Sequence, residues 1–141
     1  MKKLAELRRY LAEKIAYFTE NPDNLYLFVE NGRIVSTMAP SLSYEYQYTV
    51  NLIAERFSSD QNILMAVIID WLKNHQPELL ANPDKRHDGF KFEAVIHNNQ
   101  TADISIELTL TERVLVTEKD GQYWVTAIPE PPDPFNDWSS V

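Results

Sequence analysis

Apolar residues near the amino terminus recur every three or four positions, at Leu4, Leu7, Leu11, Ile15 and Phe18. At helical pitch they fall in one stripe about 100° wide, which predicts a helix over residues 1–18 with that stripe facing a core. Ala5, Ala12 and Ala16 share a second face, where good helix propensity accounts for them. Tyr10 and Tyr17, seven apart, share a third. Asn21-Pro22 ends the helix, because proline denies helical geometry to the residue before it.

The period then changes to two. Residues 25–30 and 33–37 are β-prone and flank Asn31-Gly32, the dipeptide best suited to a type I′ turn, so a hairpin is expected there. From Tyr44 to Leu52 the alternation is unbroken, with Tyr44, Tyr46, Tyr48, Val50 and Leu52 on one face and Glu45, Gln47, Thr49 and Asn51 on the other. Phe90, Phe92, Ala94 and Ile96 alternate in the same way after a polar loop over 77–89. Beyond a turn at Asn98-Asn99-Gln100, so do Ala102, Ile104, Ile106, Leu108 and Leu110. That strand continues to Val116, turns at Asp120-Gly121 and returns over 123–128. Short turns favour antiparallel pairing.

Between the strands, Ser58-Ser59-Asp60 offers caps for a second helix ending at Gln76-Pro77. Its apolar residues, among them Leu64, Val67 and Trp71, sweep about 200° of arc and leave a narrow strip with Ala66, Asp70, Lys73 and Asn74. A helix apolar over that width is sandwiched inside one domain or shares its burial with a second chain. Leu64, Val67 and Trp71, with Tyr10 and Tyr17, are therefore the candidate subunit or partner interface. The expected architecture is α+β: a mainly antiparallel sheet packed against two main helices, one domain over 1–128. A Pro-rich acidic tail follows over 129–141, too polar for a core of its own.

Composition narrows the chemistry. A chain of 141 residues with 44% hydrophobic content can bury one substantial core. With no cysteine, thiolate catalysis, disulfides and Cys-ligated metals are excluded. The formal charge of −8 argues against general nucleic-acid binding, which needs clustered Lys and Arg. No apolar run is long enough for a membrane span, and the basic, amphipathic start is no signal peptide, so the cytosol is the expected location. His75, His87 and His97 have no ligand spacing, and the loop 84–88, rich in titratable groups, reads as solvated charge. Three isolated glycines build no phosphate cradle. Neither cofactor nor metal is expected, and no enzyme motif is found. The polar strand faces carry Glu45, Glu93, Asp103 and Glu107; if those strands neighbour one another, their sheet presents an acidic face that would repel phosphate.

Taken in order, five segments resemble the tail completion protein R family of P2-like contractile-tailed bacteriophages: NPDNLYLFVENGRIVSTMAPSL (21–42), YEYQYTVNLI (44–53), DWLKNHQPELL (70–80), DISIELTLTERVLV (103–116) and PEPPDP (129–134). The resemblance covers nearly the whole chain. It implies a structural protein of a phage or prophage, without catalytic residues or cofactor, present in the bacterial host cytoplasm during assembly and then in the virion tail. It further implies a tail terminator role: a six-membered ring of copies capping the tail tube, halting its polymerisation and meeting the head–tail connector proteins. Ring closure would bury the Leu64, Val67 and Trp71 side of the second helix or add strand to strand across subunits, with the acidic face toward the channel. The alternative is a monomeric protein-binding adaptor or assembly chaperone using the Tyr44 face or the proline tail.

Overall fold

The structure, a computed structural model, describes residues 1–36 and 40–128. The expected acidic tail lies outside the described residues. The fold is α+β, with five antiparallel strands in one sheet and two main helices on one of its faces. In chain order these are α1 (Lys2–Lys14), α2 (Ala16–Glu20), β1 (Leu25–Val35), β2 (Tyr44–Phe57), α3 (Gln61–His75), α4 (Pro77–Ala81), α5 (Pro83–Arg86), β3 (Phe90–Ile96), β4 (Ala102–Lys119) and β5 (Gln122–Ile128).

The helical stripe is buried as its spacing predicts, with Leu7, Leu11, Ile15 and Phe18 all in the core. The helix itself is not continuous. Ile15 adopts extended geometry (φ −125°, ψ 109°) and splits α1 from α2. The break swings Tyr17 inward, out of line with Tyr10, so that it packs at 5.2 Å from Phe57 and 5.6 Å from Phe18. The Thr19 hydroxyl donates to Ala12 O at 2.5 Å, meeting one of the carbonyls that the break orphans.

The expected hairpin at Asn31-Gly32 does not form. β1 runs through it as one strand, and the two residues make a bulge, with Glu30 opposite Thr49 and Arg33 opposite Gln47. Asn31 takes the left-handed conformation (φ 53°) that a type I′ turn would also have demanded. β2 decides between them. Its fourteen residues pair with both halves of β1, which keeps Leu25, Leu27 and Val29 on the core side. The loop expected over 77–89 likewise contains two one-turn helices, each opened by a proline.

The sheet runs β1-β2-β4-β3. Its inner rows read Leu25–Ala54–Ile104–Ala94 and Val29–Val50–Leu108–Phe90 across the four strands. α1 and α3 cover the middle of this face, so β2 and β4 are buried there, whereas Phe92 on β3 remains 62% exposed. β4 is long enough to serve two neighbours along one edge: β3 beside 102–108 and β5 beside 113–119. Between them the edge is closed differently. Thr109 N–H donates to Gly89 O and Thr111 N–H to the Gln76 side chain, so the α4–α5 segment stands in for a strand.

Candidate assembly surfaces

The densest polar cluster joins the amino terminus to that notch. Lys3 Nζ donates to Gln76 Oε1 at 2.6 Å and to Thr111 O at 2.5 Å, and the Lys3 backbone N–H donates to Glu112 Oε1 at 3.1 Å. Tyr48 donates to Glu112 Oε2 at 2.6 Å. Burial, reinforced by the bond to Glu112, holds the Tyr48 phenol far above its ordinary range. Lys3, Gln76 and Glu112 are all buried. The cluster is closed on itself, and its geometry is that of a brace tying α1, α3 and β4 together. Periodicity could only have marked Glu112 as the one acid at an inward position of an otherwise apolar strand.

Other titratable contacts are small: Glu6 lies 3.8 Å from Lys2 and is shared with His75. His75 Nε2 lies 3.5 Å from Glu6, and its ring stacks on Trp71 at 4.4 Å. His97 Nε2 lies 3.1 Å from Asp103, whose carboxyl is held below its usual range first by the Arg56 backbone N–H and then by His97. Among the described residues no group of three or more His, Asp or Glu could hold a metal. A cleft of about 290 Å³ at the notch is lined by Arg33, Asp84, Lys85 and Asp88 among others.

The residues named from sequence as an interface separate on folding. Leu64 and Trp71 are fully buried against the chain's own sheet, and the Tyr17 hydroxyl lies 2.6 Å and 2.7 Å from the Glu55 and Arg56 carbonyls of the β2 bulge. These three have no side-chain surface to offer a partner. Val67 is half-buried, and Tyr10 is half-buried with its hydroxyl donating to Asp70. The outward surface of α3 is instead made by Ile63 and Ile69, 54% and 40% exposed.

Glu45, Glu93, Asp103 and Glu107 do share one face. Glu45 is opposite Arg113, Asn51 opposite Glu107, Ser105 opposite Glu93, and Val95 opposite Asp103, so all four acids project from the side of the sheet away from the helices. Arg33, Lys91 and Arg113 stand on that face too, and Lys91 lies 3.6 Å from Glu107.

The feature that sequence reasoning passed over is an arm. β4 runs on beyond Val114, its last residue paired with β2, and with β5 forms a two-stranded ribbon over residues 115–126. Both of its faces are apolar and open: Leu115, Tyr123, Trp124 and Val125 are between 46% and 64% exposed. The Asp120-Gly121 turn was legible; that among the described residues no element covers either side of the ribbon was not.

The family model for the P2 phage tail completion protein R matches residues 1–131. The chain belongs to that family. Tail completion protein R of Escherichia phage P2 is 44% identical over 134 residues, covering 95% of this chain and 86% of that protein. No solved structure matches. Family membership carries a phage tail completion role, and with it a place in the virion tail. No helix among the described residues is long and apolar enough to cross a membrane.

Proposed function

We propose that the chain completes the tail by assembling with copies of itself into a six-membered ring on the end of the tail tube. The ring stops tube growth and offers its opposite side to the head–tail connector proteins. It works by shape, with no bond made or broken and no cofactor. Assembly takes place in the bacterial host cytoplasm. The observation that carries this reading is the β4–β5 arm: an apolar ribbon open on both faces is marginal in water alone and gains its stability against a partner. The arm leaves the sheet along the strand direction, which suits it to an axial contact with the tube. Val67, Ile63 and Tyr10 supply further surface on α1 and α3. The outer sheet face with Glu45, Glu93, Asp103 and Glu107 lines the channel, where it keeps the genome from adhering.

The test is deletion of the gene from the phage that encodes it, followed by electron microscopy of the lysate. Tails of abnormal length without heads are expected, with a ring seen at the tube end only when the chain is supplied. Tails of normal length joined to heads in its absence would refute the proposal.

A further inference from the structure

Among the described residues two edges of the sheet have no strand beyond them, β1 at one end of the four-strand path and β3 at the other. They are level with one another, since Leu25 and Val29 share rows with Ala94 and Phe90. They also run in opposite directions: β1 is antiparallel to β2, β2 to β4 and β4 to β3. A rotation that carries one copy to the next therefore brings β3 against β1 in the antiparallel sense that the sheet already uses. Both edges expose apolar side chains, Tyr26 and Phe28 on one, Phe92 and Val95 on the other. An open groove of about 550 Å³ lies along β1 between Arg8, Asp23 and Phe28.

Charge and strand tilt together fix the offset. Read toward the arm, β1 presents Glu30 and then Arg33 on the outer face, and β3 presents Glu93 and then Lys91. Opposed without stagger, these edges leave the charges out of register; a shift of two residues sets Lys91 beside Glu30, and a shift of six sets Arg33 beside Glu93. Across a subunit about 19 Å wide the shift of two tilts the strands by only about 19°, whereas the shift of six, about 20 Å, gives about 45°, at the upper end of the range in closed barrels.

Resting on the ring reading, we propose that β3 of one copy pairs with β1 of the next, Glu93 beside Arg33, making one continuous sheet around the ring. Thr109, an outer-face residue, points its N–H at Gly89 on the β3 side. For an L-residue this places β3 to the right of β4 when the outer face is viewed with β4 running upward. Strands of closed barrels coil right-handed about the axis, so the stagger toward Arg33 turns the outer, acidic face inward. The channel lining and the ring contact are then one geometric fact.

The chain has no cysteine, so the double variant Arg33→Cys with Glu93→Cys carries the only thiols. Both positions are exposed. Facing residues of an antiparallel ladder have Cα atoms about 5 Å apart, within disulfide reach. Oxidation of tails assembled with the double variant is expected to give a ladder of covalent multimers ending in a closed circle, and neither single variant should give any. A ring visible on those tails without a ladder overturns the edge pairing and leaves the ring standing. Dimers from Glu93→Cys alone, or a cross-link from either single variant to another tail protein, also overturn the pairing. A single copy per tail overturns ring and pairing together.

Discussion

At the scale of the residue, burial separates what a spacing pattern merges. Leu64, Val67 and Trp71 are equivalent on a helical projection, yet Leu64 and Trp71 go to the core and Val67 to its margin. The projection gives the width of an apolar arc and says nothing about how much of it a sheet will cover. Glu112 is the converse case, an acid at a core position whose partners lie far away in sequence, at Tyr48 and Lys3. Its carboxylate accepts from two buried donors, so removing it strands polar groups in addition to deleting a contact. Glu112→Ala is expected to destabilise the fold by about 3 kcal/mol, read as a lower urea midpoint with an unchanged slope. Tyr48→Phe takes away one of the two donors and should cost about half as much. Equal midpoints for Glu112→Ala and the parent chain would mean that the brace contributes nothing.

At the scale of the element, period-two and period-3.6 patterns located β1 to β4 and both main helices, because each sets apolar side chains against a single shared core, whereas β5 was placed by the Asp120-Gly121 turn. Asn31-Gly32 misled, since a left-handed residue serves a turn and a bulge equally well; the length of β2 chose between them, and that is a property of a different segment. The arm shows the complementary case. Asp120-Gly121 is a true two-residue hairpin turn, with Lys119 opposite Gln122 and φ of 54° and 76° at its two residues. Nothing lies within 4 Å of where a Gly121 Cβ would stand, so Gly121→Ala is penalised by backbone strain alone, about 1–2 kcal/mol. Because the arm has few contacts with the core, that strain should stay local. Amide exchange over Gln122–Ile128 is expected to quicken while the core strands β2 and β4 keep their protection. Uniform loss of protection across the sheet would show that the arm and core unfold as one unit.

At the scale of the molecule, charge distribution decides what the outer face can do, and the total of −8 conceals the detail. Glu30, Glu45, Glu93, Asp103 and Glu107 share that face with Arg33, Lys91 and Arg113, a local excess of two negative charges. The face is therefore close enough to balance that three substitutions reverse its sign. Glu45→Gln, Glu93→Gln and Glu107→Gln together leave a local excess of one positive charge on side chains at least partly open to solvent, where folding should be little affected. If this face lines a channel for DNA, its acidity acts as a repellent, and the triple variant should acquire an affinity for duplex DNA that the parent lacks. That affinity should fall steeply as salt rises, since it would come from phosphate neutralisation alone. Gel-shift titration at two salt concentrations measures it directly. In the assembled particle Glu45→Gln with Glu107→Gln, which touch neither the arm nor the β1 and β3 edges, should slow genome passage without changing tail length. Parent protein that binds duplex DNA as tightly as the variant would remove the acidic face from any part in keeping the channel clear.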